Sequence, residues 1–236
     1  MPVATLAALD GGSVEIDSPL GFTTLGATRF LVAQINSRLQ EFGASDLPFG
    51  DHVAEATSVS LDEEYSVQGG RLRLGSAEHS EEGFSTRTFQ LGVWSGNVYC
   101  VKTFIYNRPL HELIDVFDAF EIEERGDGVV LTSRRDGVAI TTTVAQVPKV
   151  VNNIPGLGLL EVRKLTPSIR NQLPPWQGLH VRGGQLFQES GRGQQEASVI
   201  LLGASAVTRV YRDPALSDEQ FDKFIDRASD LIVTWS

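Results

Sequence analysis

The hexamer Val67-Gln68-Gly69-Gly70-Arg71-Leu72 recurs later in the chain as Val181-Arg182-Gly183-Gly184-Gln185-Leu186. Each copy is followed by the same order of predicted elements: a polar stretch with glycines, a strand, a turn, a second strand, a proline and a helix. In the first copy the strands are expected at 86–94 and 98–106, with Pro109 and a helix to 120. In the second they are expected at 197–202 and 206–211, with Pro214 and a helix to 231.

The two predicted helices also match each other. Leu113-Ile114-Asp115 corresponds to Phe224-Ile225-Asp226, and both helices carry an apolar stripe typical of packing against a sheet. The sequence therefore predicts an α+β fold made of two tandem antiparallel-sheet-plus-helix units related by internal duplication. The expected units are 1–122 and 123–236, the second with a proline-rich insertion at 148–178.

A hairpin is expected to open the second unit. Gly126-Asp127-Gly128 and Arg135-Asp136-Gly137 are turn sequences that bracket a strand at 129–133, with a partner strand at 138–147. Residues 27–42 are predicted as a helix, because Phe30, Leu31, Ile35, Leu39 and Phe42 follow helical spacing. Thr28 is placed to cap this helix and Gly43 to end it.

Composition excludes several classes of protein. The net charge is −10 and the pI is near 4.9, so a nucleic-acid partner is not expected, because phosphate binding needs a basic face. No apolar run is long enough to span a bilayer. The single cysteine, Cys100, cannot form an internal disulfide, and its apolar neighbours indicate a small buried residue. With no leader-like N-terminus, these features predict a cytoplasmic protein, and a mature form that has lost its leader stays an alternative.

The motif search predicts no catalytic residue, no metal site and no cofactor. His52, His79, His111 and His180 lack the spacing of a zinc site. The acidic runs Asp62-Glu63-Glu64 and Glu81-Glu82 are more typical of solvated faces than of metal ligands. A triad of His111, Asp115 and Ser95 stays an open alternative, because triads are assembled in space.

One region differs in charge from the acidic chain around it. Residues 148–178 hold five prolines and also carry Arg163, Lys164 and Arg170 beside an exposed-looking Trp176. Long irregular segments in compact domains often carry function. Arg163, Lys164, Arg170 and Trp176 are therefore the candidate partner-binding residues.

The ending of each unit resembles the Mog1/PsbP-like fold, in which a twisted antiparallel sheet ends in a hairpin followed by a helix across the sheet. The residues that carry the resemblance are 84–94, 98–106 and 109–120, and again 197–211 and 214–232. The resemblance implies a non-enzymatic binding or assembly factor and assigns no functional residue. Secretion-chaperone-like α+β proteins, which also build paired units, fit nearly as well.

Two functions follow as hypotheses. The first is a non-catalytic binding or assembly protein, chaperone-like or adaptor-like, that acts through contacts with a protein or peptide partner. The alternative is a small-ligand-binding protein or an unrecognised enzyme with a pocket between sheet and helix. Self-association through exposed sheet edges is a further expectation.

Overall fold

The computed structural model describes residues 3–21, 26–79, 87–141, 146–189, 198–213 and 221–236. Within these ranges the chain forms eighteen strands and four helices. In chain order they are β1 (Val3–Ala7), β2 (Ser13–Asp17), β3 (Thr28–Ile35), β4 (Arg38–Asp46), α1 (Pro48–Ala56), β5 (Ser60–Val67), β6 (Gly70–His79), β7 (Arg87–Ser95), β8 (Tyr99–Tyr106), α2 (Glu112–Asp118), β9 (Phe120–Arg125), β10 (Gly128–Ser133), β11 (Val138–Ile140), β12 (Lys149–Ile154), β13 (Gly158–Lys164), α3 (Pro167–Arg170), β14 (Leu179–Val181), β15 (Gly184–Glu189), β16 (Ser198–Leu202), β17 (Ala206–Arg212), α4 (Phe221–Ser229) and β18 (Ile232–Trp235).

The chain divides into two compact units, which we name for their place in the sequence. The terminal unit comprises Met1–Ala8, Gly12–Thr28 and Thr143–Ser236, and the central unit comprises Leu9–Gly11 and Arg29–Thr142. The terminal unit is thus built from both ends of the described chain, and the central unit is almost continuous.

The central unit is a sheet packed on both faces. Its antiparallel strand order is β3-β4-β8-β7-β6-β5, with β11 added beside β3. One face packs on α2 and the hairpin β9–β10, where the Phe42 and Phe120 rings meet edge to face at 5.0 Å. On the other face, Ala54 of α1 packs with Leu91, Val93 and Cys100. Burial of these apolar faces is the main stabilising term.

The terminal unit has an antiparallel sheet in the order β12-β13-β17-β16-β15-β14. Its larger core includes Phe224 and Ala228 of α4 and residues of the small sheet β1-β2-β18. Its smaller core lies on the face that carries α3, where Ile169 packs with Phe187, Ile200 and Val207. Because α3 has only four residues, it covers less of that face than the nine-residue α1 covers in the central unit.

The two units have the same order of elements: a hairpin, a helix, four meandering strands, a helix and a strand. The Gly-Gly hexamers span equivalent turns, from β5 to β6 and from β14 to β15. Each turn reaches the strand that follows the second helix. Gln68 donates through Nε2 to Phe120 O at 2.8 Å and accepts the N–H of Ile122 at 3.0 Å. A Cβ on Gly183 would lie only 2.1 Å from Leu231 O.

The predicted α+β class is wrong, because the chain is mostly sheet. Strands account for 56% and helices for 14%, with four helices in the part that the structure describes. The predicted helical endings are present as α2 and α4, but each serves a much larger antiparallel sheet. Each unit is therefore a large antiparallel sheet with short helices on its faces, not a balanced sheet-plus-helix unit.

The predicted helix at 27–42 is instead the hairpin β3–β4. Asn36 and Ser37 form its turn with φ angles of 49° and 67°, which few non-glycine residues adopt. Within β3 the buried residues are Arg29, Leu31 and Ala33, an alternation of period two. The apolar residues that follow helical spacing therefore divide between the two faces of a sheet.

Two further expectations differ from the structure. Strand β10 pairs with β9, not with the segment after residue 137, and β11 pairs with β3. Within the region expected to be least regular, residues 149–164 form the hairpin β12–β13. No helix in the described ranges is long and apolar enough to cross a membrane.

The first and last parts of the described chain meet in the small sheet of the terminal unit. Strand β18 pairs antiparallel with β2, which also pairs with β1. Ser13 and Ser236 exchange two backbone hydrogen bonds of 3.0 Å each. The residues that complete this sheet therefore come from opposite ends of the sequence.

Candidate functional site

The four candidate residues from the sequence all lie in the terminal unit, but they do not form one cluster. Arg163 and Lys164 are consecutive in β13, so their side chains point to opposite faces of the sheet. Arg170 is the exposed last residue of α3. Trp176 lies between α3 and β14, and its relative exposure is 60%.

Arg163 belongs to a row of charged side chains on the face that carries α3. Glu161 lies between two cations, with its Oε1 at 2.6 Å from Arg163 Nη2 and its Oε2 at 3.2 Å from Lys149 Nζ. Burial alone would raise the pKa of Glu161, but these two cations hold it below its ordinary value. The row is thus ionised and internally paired at neutral pH.

Arg209 stands opposite Glu161 in the register of β13 and β17. Its Nε lies 2.8 Å from Oε2 of Glu189, which also accepts the Ser198 hydroxyl at 2.7 Å. Burial would lower the pKa of Arg209, but hydrogen bonds to Tyr211 and Glu189 raise it above the usual arginine value. Arg209 therefore stays charged on a face that is otherwise partly apolar.

A small cavity of about 100 Å³ lies between α3 and this charged row. Ile169, Leu173, Ile200 and Val207 supply its apolar side, and Glu161, Gln172, Arg163 and Arg209 its polar side. Helix α3 is fixed above it by its N-cap, since Thr166 Oγ1 accepts the Ile169 N–H at 3.2 Å. The space suits one short side chain rather than a cofactor.

A second feature of the terminal unit is the edge of its sheet, which we call the Trp176 edge and define as residues 174–181. Its strand β14 is last in the strand order and pairs only with β15 among the described residues. Leu179 is 63% exposed, and Trp176 lies three residues before it. Gly178 lies close against β15, because a Cβ there would lie 2.8 Å from Leu186 O and 3.0 Å from the Phe187 ring.

Sequence reasoning found part of this surface. The prolines and basic residues around Trp176 predict it as a binding residue, whereas the sequence does not predict Leu179 or Arg209. Arg209 had only a weak signal, as the charged residue inside the predicted strand at 206–211. The sequence carries no signal for Leu179, because the exposure of this residue depends on β14 being the edge strand of the sheet.

The other sequence alternatives receive little support from geometry. No group of three or more potential metal ligands occurs among the residues that the structure describes, and Glu81-Glu82 lies outside them. Asp115 lines a cavity of the central unit, but His111 and Ser95 are not part of its lining. A catalytic triad therefore gains no supporting contact.

Comparisons with known proteins add no relative. No protein-family model matches the chain, and neither a curated protein nor a solved structure shows significant similarity to it. The resemblance to the Mog1/PsbP-like fold stays a prediction.

Proposed function

We propose that this chain is a non-catalytic binding protein that contacts a protein or peptide partner through the Trp176 edge. The observation that carries the proposal is the joint exposure of Trp176 and Leu179, at 60% and 63%, beside an edge strand. Tryptophan is enriched among the residues that dominate binding energy at interfaces. Covering each side chain would contribute about 2–3 kcal/mol, before the cost of ordering the partner.

The backbone of the Trp176 edge supports the same use. In the hairpin β14–β15, Val181 pairs with Gly184 and Leu179 with Leu186, so the N–H and C=O of His180 face away from β15. An extended segment of a partner can add to such an edge and cover Leu179 at the same time. The short length of β14 limits the added strand to a few residues.

Charge indicates which partner fits. Described residues 146–189 carry five basic and two acidic side chains, although the whole chain has a net charge of −10. Arg170 and Arg182 lie on either side of the Trp176 edge in sequence, and both are exposed, with Arg182 also paired with Asp17 at 3.0 Å. An acidic extended segment is therefore the favoured partner, with self-association through sheet edges as a second possibility. The lone buried Cys100 needs no oxidising compartment, which favours a cytoplasmic setting.

The first experiment compares partners recovered from the source lysate. The double variant Trp176→Ala/Leu179→Ala should lose specific partners that the wild-type chain retains. Tyr106→Ala is the matched control, because Tyr106 is an equally exposed aromatic residue of the central unit, at 61%. Recovery of the same partners by wild type and double variant would refute the proposed interface.

The second experiment uses tryptophan fluorescence with a recovered partner. Trp94 and Trp235 are only 2% and 3% exposed, so an ionic quencher should act mainly on Trp176. Partner binding should protect this accessible fraction. Trp176→Phe should remove the quenchable fraction before any partner is added. Unchanged quenching in a saturated complex would place the interface elsewhere.

A further inference from the structure

The central unit contains a cavity that the proposed protein interface does not use. Its volume is about 420 Å³, and it lies between the start of β4, helix α2 and the segment before β11. This volume is within the range of small-molecule sites. The residues that matter to its chemistry are Arg38, Gln40, Glu112, Asp115, Val116 and Asp136.

In the terminal unit, a side chain fills the corresponding space between helix α4 and the hairpin β12–β13. There, Arg227 of α4 donates through Nη1 to Gly156 O at the tip of the hairpin β12–β13. Leu157, in the same turn, is fully buried. When Leu113-Ile114-Asp115 is matched with Phe224-Ile225-Asp226, Val116 takes the position of Arg227.

Val116 is too short to reach across to the hairpin β3–β4. The turn residues Asn36 and Ser37 of that hairpin are exposed, and Asn36 lines the cavity. The cavity is therefore not a necessary result of this strand order. It is open where an arginine closes the corresponding space in the terminal unit.

A buried amide lines the cavity and leaves its acceptor available. Gln40 is 7% exposed, and its Nε2 donates to Thr103 Oγ1 at 2.5 Å and to Phe104 O at 2.6 Å. These two bonds fix the orientation of the amide. No hydrogen bond to Gln40 Oε1 occurs among the described residues. This carbonyl oxygen can accept a hydrogen bond from a ligand.

The charges at the cavity favour a cation. Arg108 binds Glu112, with Nε at 2.6 Å from Oε2, and Arg38 Nη1 lies 3.9 Å from the same oxygen. Arg135 pairs with Asp118 at 3.1 Å. In the part of the chain that the structure describes, neither Asp115 nor Asp136 forms an ion pair.

The lining thus holds three carboxylates and three guanidinium groups. Asp118 lies outside the lining but neutralises Arg135, so the carboxylates that serve this cavity exceed the guanidinium groups by one. Asp115 and Asp136 are the two carboxylates left to interact with a ligand. Gln40 adds a neutral acceptor to the same lining. A ligand rich in hydrogen-bond donors satisfies all three groups.

We propose that this cavity binds a guanidinium or alkylammonium group, which occupies the space that Arg227 fills in the terminal unit. A guanidinium offers five N–H donors in a planar fork, and carboxylates and the Gln40 carbonyl offer only acceptors. The group can belong to a free small molecule or to an arginine side chain of a peptide.

Calorimetric titration with L-arginine and L-citrulline tests the proposal. Citrulline has nearly the same shape but carries an uncharged urea group. Arginine should bind, and citrulline should bind at least about tenfold more weakly, which is the effect of losing a charge-assisted hydrogen bond. A doubly blocked arginine amide identifies the source: equal or tighter binding indicates a peptide side chain, and binding of free arginine alone indicates a small molecule. Equal binding of arginine and citrulline, or no heat from either, would overturn the proposal.

Variants locate the site. Val116→Arg should place an arginine in the cavity, as in the terminal unit, and abolish arginine binding. Because Val116 is buried, Asp115→Asn and Asp136→Asn provide a second test at exposed positions, each with an expected loss of about tenfold. Arg71→Gln, which alters an exposed pair with Glu64, is the control. Full arginine affinity in both aspartate variants would contradict the proposed site.

This inference is independent of the Trp176 edge. The variant Trp176→Ala/Leu179→Ala should bind arginine with wild-type affinity. Asp115→Asn should recover the same protein partners as the wild-type chain. The two proposals can therefore fail separately.

Discussion

The carboxylate of Glu124 closes the turn at Asn97: its Oε2 accepts the backbone N–H of Asn97 at 2.8 Å and the side-chain amide at 2.9 Å. Its Oε1 accepts the N–H groups of Val98 and Tyr99, at 2.6 and 2.8 Å. One side chain of β9 thus satisfies three backbone donors, two in the turn between β7 and β8 and one at the start of β8. Burial alone would raise the pKa of Glu124, but these bonds hold it below its ordinary value.

Glu124→Gln should destabilise the central unit by about 1 kcal/mol at neutral pH, because a neutral amide accepts weaker hydrogen bonds than a carboxylate. A lowered folded-state pKa stabilises the protein above the unfolded pKa of about 4.3, and that contribution is lost as the pH falls through the folded value. The difference in Tm between wild type and variant should therefore shrink on acidification. Thermal unfolding followed by circular dichroism at several pH values measures it.

Glu123→Gln is the matched control for this prediction. Glu123 is the neighbouring residue, and it pairs with Arg125 at 2.6 Å on the surface. Exposed pairs of this kind contribute little to stability. Equal losses of Tm in the two variants would show that the turn contacts of Glu124 are not special.

Gly183→Ala should destabilise the terminal unit. Its Cβ would lie 2.1 Å from Leu231 O, so the backbone of the turn or of the following strand must move, at a cost of about 2 kcal/mol or more. Gly126→Ala is the control, because a Cβ there meets nothing within 4 Å. Urea unfolding should give a lower midpoint for Gly183→Ala and a nearly unchanged one for Gly126→Ala.

Cys100 should resist thiol reagents in the folded protein. It is fully buried, and burial is the main reason that its pKa rises to about 11. Its Sγ also donates to Asp46 O at 3.2 Å. Since the thiolate is the reactive form, labelling at pH 8 should proceed only through opening of the central unit and should accelerate with urea. Rapid stoichiometric labelling without denaturant would contradict this structure.

Neutralising the acidic edge strand β5 should promote self-association. This strand ends the sheet order of the central unit, and Asp62, Glu63 and Glu64 are all exposed. Charges on an edge strand oppose pairing with the edge of another molecule. The triple variant Asp62→Asn/Glu63→Gln/Glu64→Gln should show a larger, concentration-dependent mass in light scattering.

A control variant separates the edge effect from the change in net charge. Glu55→Gln/Asp226→Asn/Asp230→Asn removes the same number of charges from exposed positions outside the strands. It should remain at the mass of the wild-type protein. If both triple variants associate equally, the change in net charge, and not the loss of charge on β5, causes the association.

The elements that the sequence predicts best are those with local causes. Strands β8 and β17 follow from runs of β-branched and aromatic residues after a turn. Helices α2 and α4 follow from apolar residues at helical spacing. In each case the residues that determine the element lie within it or next to it.

The hairpin β3–β4 could not be predicted in this way, because its causes are distant. Arg29 is 1% exposed, and its Nη2 donates to Asp127 O, 98 residues away. Its guanidinium also lies 5.2 Å from the centre of the Tyr99 ring. Because a charged residue occupies a core-facing position, the sequence of β3 does not show the alternation of apolar and polar residues that identifies a strand.

The Gly-Gly hexamers identify equivalent turns, but the glycines are needed for different reasons. In the first, a Cβ on Gly70 would lie 2.4 Å from the Trp94 indole. In the second, Gly183 faces a backbone carbonyl, and Gly184 has a φ of 139°. The similar sequences therefore identify the turns, but the reason for each glycine is visible only in the packing around it. The cavity beside Val116 could not be predicted from the sequence either, because it depends on a side chain that is too short to reach the hairpin β3–β4.

The pairing of β2 with β18 has a consequence for how the chain folds during synthesis. Strand β2 precedes the segment Arg29–Thr142 of the central unit in the chain, and its partner β18 follows that segment. The central unit ends at Thr142, so its whole sequence has been synthesised before β18, the partner of β2, is made. Unit-by-unit folding during translation then favours the central unit first. Until β18 has been synthesised, Val14 and Ile16, which are fully buried in the folded protein, lack one of their two neighbouring strands.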